Sequence, residues 1–122
     1  MIVSDLMTQP VLRIDENSTV QKATEKMGKE CVSSLLVTRR GEDVGIITER
    51  DIISKVLTQK KDLEKVKVKE VMSTPLVTTD KNTTDEDALR TMVKNKVRRL
   101  LITDYEEIVG IFTTSDVTKL AQ

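Results

Sequence analysis

Two threonine–aspartate pairs carry the clearest chemical pattern in this chain. Thr48 and Asp51 follow Gly45-Ile46-Ile47, and Thr113 and Asp116 follow Gly110-Ile111-Phe112. In each case a short apolar run meets a polar step and then a second apolar run, so the pair falls where a strand passes into a helix. Free backbone N–H groups and the positive end of the helix dipole gather at such a point and favour an anion. A threonine hydroxyl there can hydrogen-bond a phosphate or a sugar. An aspartate one turn on can accept both hydrogens of a ribose cis-diol. The same Thr-x-x-Asp spacing is also an ordinary capping box that needs no ligand. The two roles are compatible, because only one face of each side chain need serve the helix.

Little else in the composition supports catalysis. There is no histidine and a single cysteine, so general acid–base chemistry is confined to carboxylates, lysines and Tyr105. Without an imidazole or a pair of thiols, soft metal sites are poor too. Neither a metal, a cofactor nor enzymatic activity is expected. Cys31 has no base beside it in sequence and is expected as a small buried or half-buried thiol. Twenty basic and twenty acidic side chains cancel, whereas nucleic-acid binders draw their affinity from a basic excess. Arg39-Arg40, Lys60-Lys61 and Arg98-Arg99 are the local exceptions. Apolar runs are far too short to span a bilayer, and the N-terminus lacks the features of a signal peptide. With one cysteine, a cytoplasmic location is the expectation.

The elements that position the two pairs are written twice. A shift of 65 residues lays 1–57 over 66–122 without a gap, with 19 identities in 57 positions. Met7-Thr8-Gln9-Pro10 falls on Met72-Ser73-Thr74-Pro75, and Val44-Gly45-Ile46 on Val109-Gly110-Ile111. In each copy a short strand follows proline, as in Val11–Ile14. Capping boxes at Ser18-Thr19-Val20-Gln21 and Thr83-Thr84-Asp85-Glu86 open a helix. Its apolar stripe is Val20, Ala23 and Met27 in one copy, and Ala88, Leu89, Met92 and Val93 in the other. Hairpins follow, pairing Ser33–Thr38 with Val44–Thr48 and Leu100–Thr103 with Ile108–Thr113. A second helix carries Ile52, Ile53, Val56 and Leu57, matched by Val117, Leu120 and Ala121. Met7, Met27, Met72 and Met92 read as core filler. The expected division is repeat 1 over 1–58, a charged linker over 59–65 and repeat 2 over 66–122. Each βαββα unit is marginal alone, so an α/β (α+β) module of two units packed sheet to sheet with pseudo-two-fold symmetry is expected.

This pattern resembles a tandem pair of cystathionine-β-synthase (CBS) domains, a Bateman module. Asp5-Leu6-Met7 with Pro10, Val32-Ser33-Ser34-Leu35-Leu36-Val37 and Gly45 through Asp51 carry the likeness, together with their copies. The resemblance implies a regulatory module that binds AMP, ADP, ATP or an S-adenosylmethionine-like compound and signals to a partner protein. By position, Asp51, Asp116, Thr48 and Thr113 would serve the ribose. Arg98, Arg99, Thr114, Ser115 and Arg50 would serve phosphate. Leu12, Ala23, Val32, Ser33, Val77, Ala88 and Val97 would line the adenine. The copies differ, since Ser33-Ser34 stands where the second copy has Arg98-Arg99, and Ser115 where the first has Arg50. The family also implies a homodimer formed through helices, for which Ile53 or Val56 would supply an apolar face. With two repeats filling the chain, no effector domain is expected. Two other readings stay open: a ligand-free scaffold, and a nucleic-acid module acting through Lys96, Arg98 and Arg99.

Overall fold

Apolar stretches separated by polar turns build two three-stranded sheets. In the computed structural model, which describes residues 1–114, the first copy contains β1 (Arg13–Asp15), α1 (Val20–Glu30), β2 (Ser34–Arg39), β3 (Glu42–Thr48) and a short α2 (Glu49–Ile52). The second copy contains β4 (Thr78–Asp80), α3 (Asp85–Asn95), β5 (Arg99–Asp104) and β6 (Glu107–Thr113). In both, the first strand runs parallel to the second and the second antiparallel to the third. A parallel pair needs a crossover connection, and α1 and α3 supply it. The α+β architecture read from the repeat is present. The expected last helix, with Val117, Leu120 and Ala121, lies outside the described residues.

Helical spacing decides what each helix buries. Val20, Ala23 and Met27 of α1 pack on Leu35, Val37 and Ile47, and Ala88 and Met92 of α3 pack on Leu100, Ile102 and Phe112. Val93 was expected on that stripe, but it is 78% exposed, because it lies one residue, and thus about 100° of rotation, beyond Met92. The caps also differ from expectation by one position. Thr19 Oγ1 accepts from Lys22 N–H and Thr84 Oγ1 from Asp87 N–H, so Ser18 and Thr83 are not caps. Gln21 bonds Glu25, and Glu86 pairs with Arg90, in place of closing reciprocal boxes. Cys31 is exposed, a correction to its expected burial. It forms the left-handed C-cap of α1 at φ 55°, a position that points its side chain away from the core. The first strand begins at Arg13, later than Val11.

The hairpins close on two-residue turns whose central residues both have positive φ: Arg40 (51°) and Gly41 (81°), and Tyr105 (50°) and Glu106 (72°). This backbone suits the strand twist but favours Asn-Gly. Tyr105 is 93% exposed, so no packing offsets its conformation. Replacing Tyr105-Glu106 with Asn-Gly is expected to stabilise the protein by about 1 kcal/mol, measured as a rise in the denaturant midpoint at unchanged slope. No change would mean that the tip carries no strain.

The compact structural units do not coincide with the sequence repeats. One comprises Leu12–Pro75, and the other comprises Met1–Val11 with the described part of Leu76–Gln122. In the first, Ser73 exchanges both backbone hydrogen bonds with Ile46 (2.9 and 3.1 Å), closing the free edge of β3. Val20 N–H donates to the Val66 carbonyl, and Val68 and Val71 complete the core. Residues 59–65 therefore do not hang free: Gln21 N–H donates to the Leu63 carbonyl, and Leu63 packs on the same core. In the second unit, Thr8 exchanges the same pair of bonds with Ile111 along β6 (2.8 and 3.1 Å), and Val3 is fully buried in the core.

Equivalent ion pairs tie the loop after the first strand to the end of the second, with opposite polarity. Arg39 Nε donates to Glu16 Oε2 at 2.8 Å in the first copy, and Lys81 Nζ to Asp104 Oδ2 at 3.2 Å in the second. The hydrogen bond from Arg39 holds the Glu16 carboxyl below its ordinary value of 4.5, against the opposing effect of burial.

Candidate functional site

Sheet register gathers the predicted residues at the end of each hairpin. Thr48 closes β3 opposite Ser34, and Thr113 closes β6 opposite Arg99. The antiparallel pairing thus sets the position that differs between the copies, Ser34 against Arg99, beside the shared threonine. Arg99 is half-buried, whereas Arg98, one residue before β5, is exposed. Arg50 and Thr114 are exposed as well. Ser115 and Asp116 lie outside the described residues.

In the first unit Thr48 and Asp51 form a complete capping box. Asp51 N–H donates to Thr48 Oγ1 at 3.1 Å, while Thr48 N–H (3.0 Å) and Thr48 Oγ1 (3.1 Å) both donate to Asp51 Oδ2. Glu49 N–H donates to the Ser33 carbonyl at 3.0 Å, so Ser33 contributes its backbone at the helix start. The ordinary structural role of the pair is therefore real, and any ligand must bind alongside it.

Sequence reasoning missed Lys55. Its Nζ lies 3.1 Å from Asp51 Oδ1 and donates to the Val71 carbonyl at 2.9 Å. The available signal was the i,i+4 spacing of an acid and a base on one helix. The helix changes character here: Thr58 N–H donates to the Ile53 carbonyl, five residues back, and Ile53–Leu57 forms a π-helical turn of the kind found at functional positions. Ile52 and Val56 face the core, and Ile53 and Leu57 are about half exposed. Val56, fully buried, cannot supply the apolar association face expected of it; Ile53 can.

The residues expected around an adenine divide by depth. Leu12 and Val32 are half-buried against the first core, as are Val77 and Val97 against the second. The Leu12 and Val77 carbonyls accept from Leu36 and Leu101 N–H, each at 2.9 Å. Ser33 is exposed. Ala23 and Ala88 are fully buried on the core-facing stripes of α1 and α3, so their methyl groups back the wall and do not reach its surface. All the first-copy residues belong to one compact unit, and all the described second-copy residues belong to the other. Among the described residues, no three acidic, cysteine or histidine side chains form a group able to hold a metal, and no helix is long and apolar enough to cross a membrane.

Comparison with known proteins fits this geometry. The family model for the CBS domain matches residues 3–58 and again 68–122. The CBS domain-containing protein YhcV of Bacillus subtilis is 36% identical over 115 residues, covering 94% of this chain and 81% of its own length. The uncharacterized protein MJ0450 of Methanocaldococcus jannaschii is 36% identical over 118 residues; the match takes in 95% of this chain but only 63% of that protein. The crystal structure of the CBS domain pair of protein MJ0100, in complex with 5′-methylthioadenosine and S-adenosyl-L-methionine, superposes with a TM-score of 0.84. It is 26% identical, with 99% of this chain and 95% of that one covered.

Proposed function

Since the chain belongs to the CBS domain family as a tandem pair, we propose that it is a regulatory module that binds an adenosine-containing ligand and signals to a partner protein. The observation that carries this reading is the recurrence of the threonine–aspartate pair at the same place in both sequence repeats, with the polar or basic position of the neighbouring strand in register beside each threonine. The adenosyl compounds held by the MJ0100 pair support the ligand class. Asp51 and Thr48 would take the ribose in the first repeat, with Leu12, Val32 and Ser33 about the base and Arg50 toward phosphate. In the second repeat Asp116 and Thr113 would take the ribose, Val77 and Val97 the base, and Arg98, Arg99, Thr114 and Ser115 the phosphate. Arginine holds phosphate by paired, charge-assisted bonds, so the second repeat is the one suited to AMP, ADP or ATP.

The complete capping box at Asp51 favours a second reading, a ligand-free scaffold. Thermal unfolding in the presence of adenosine, AMP, ADP, ATP, S-adenosylmethionine and NAD separates the two. A ligand at a hundred times its dissociation constant is expected to stabilise the protein by about 2.7 kcal/mol. The Arg98→Ser/Arg99→Ser variant is expected to bind AMP and ATP about tenfold more weakly, about 1.4 kcal/mol, and adenosine unchanged. A panel without any shift on folded protein leaves the scaffold reading.

A further inference from the structure

The carboxylate that would receive the ribose is already engaged. A carboxylate offers about four lone-pair positions. In Asp51, Thr48 N–H and Thr48 Oγ–H take those of Oδ2, and the Lys55 ammonium takes one of Oδ1. A single position remains for an incoming hydroxyl, whereas a cis-diol presents two donors. The Thr48 bonds are intrinsic to the helix cap. Lys55 is not: its side chain is 42% exposed against 13% for Asp51, and it keeps the Val71 carbonyl as a second acceptor. An ammonium on a flexible stem can turn to water at small cost, and a partly exposed ion pair of this kind is weak. The position matched to Lys55 in the second repeat is Leu120, whose side chain carries no donor.

Building on the adenosine reading above, we propose that Lys55 is a specificity-determining residue of the first repeat. It competes with one ribose hydroxyl for Asp51, so this site accepts a single hydroxyl with no displacement and a cis-diol only by releasing the lysine. The first repeat then tolerates a 2′-deoxynucleoside. Lys55 acts through Asp51, so its effect is confined to ligands that need both acceptor positions.

Calorimetry on an Asp116→Ala background isolates the first repeat, with unfolding curves confirming that each variant is folded. On that background adenosine and 2′-deoxyadenosine are expected to bind within about threefold of one another. Adding Lys55→Leu, which copies the second repeat, is expected to strengthen adenosine binding about three- to fivefold and leave 2′-deoxyadenosine unchanged. Lys55→Met, which keeps the length of the stem, is expected to do the same. An equal gain for both nucleosides, no change, or a loss overturns the inference. Binding that survives only through the second repeat of the unmodified protein overturns it while leaving the adenosine reading intact. Failure of the unmodified protein to bind either nucleoside overturns both.

Discussion

Replacing Gly45 with valine is expected to destabilise the protein by about 3 kcal/mol or more, from overpacking together with the loss of backbone pairing. Even a single Cβ at this position would lie 2.9 Å from both Met72 Sδ and the Ser73 carbonyl oxygen. The sulfur could swing aside, but the carbonyl belongs to the residue that exchanges both backbone bonds with Ile46. Relief of the clash therefore opens the edge of β3. For a protein of marginal stability a loss of this size is a large fraction of the total. Gly28 serves as the contrast. It lies within α1 with nothing near its would-be Cβ, and Gly28→Ala is expected to stabilise by about 0.5–1 kcal/mol. Denaturant unfolding of both variants checks the pair of signs. A mild effect of Gly45→Val would mean that residues 72–75 do not hold their place against β3. At Gly110 the atoms that an added Cβ would meet all belong to the Met7 side chain.

Asp51→Ala is expected to weaken adenosine binding in the first repeat by ten- to a hundredfold, about 1.5–3 kcal/mol for loss of a charged acceptor. The variant is also expected to lose about 1 kcal/mol of stability, because Thr48 N–H loses its acceptor and the capping box is broken. Asp51→Asn separates the two effects. An amide oxygen can still accept from Thr48 N–H and preserve the cap, but it offers fewer acceptor positions and no charge to a diol. Stability near that of the unmodified protein with weakened binding is the expected outcome, read by calorimetry and thermal unfolding on one preparation. If Asp51→Ala lowers stability and leaves binding unchanged, the aspartate is a cap and nothing more.

The repeat, the order of strands and helices, and most of the core are properties of the sequence itself. Periodicity reports which face of an element is apolar, and an ungapped copy at a shift of 65 doubles every such signal. For the same reason Thr48 and Asp51 could be placed at a strand-to-helix junction from their neighbours alone, and the capping role read there is the one observed. Short-range differences are of one or two residues, as where β1 starts at Arg13 and not at Val11. The cap falls on Thr19, not Ser18, because neighbouring hydroxyls compete for the same backbone donors and local pattern cannot rank them.

Tertiary structure decided what depends on contacts distant in sequence. Residues 66–75 complete the first unit and residues 1–11 the second, because the free edges of β3 and β6 need backbone partners that no local pattern specifies. That placement explains why Gly45 and Gly110 carry no side chain. Polarity is another such feature. Glu16–Arg39 and Lys81–Asp104 occupy matched positions with opposite sign, a relation visible only once each strand's partner is known. The engagement of Asp51 by Lys55, and of Lys55 by the Val71 carbonyl, is the same kind of fact. A sequence can show which groups are able to bond, but the choice among acceptors depends on which of them the fold brings within 3 Å.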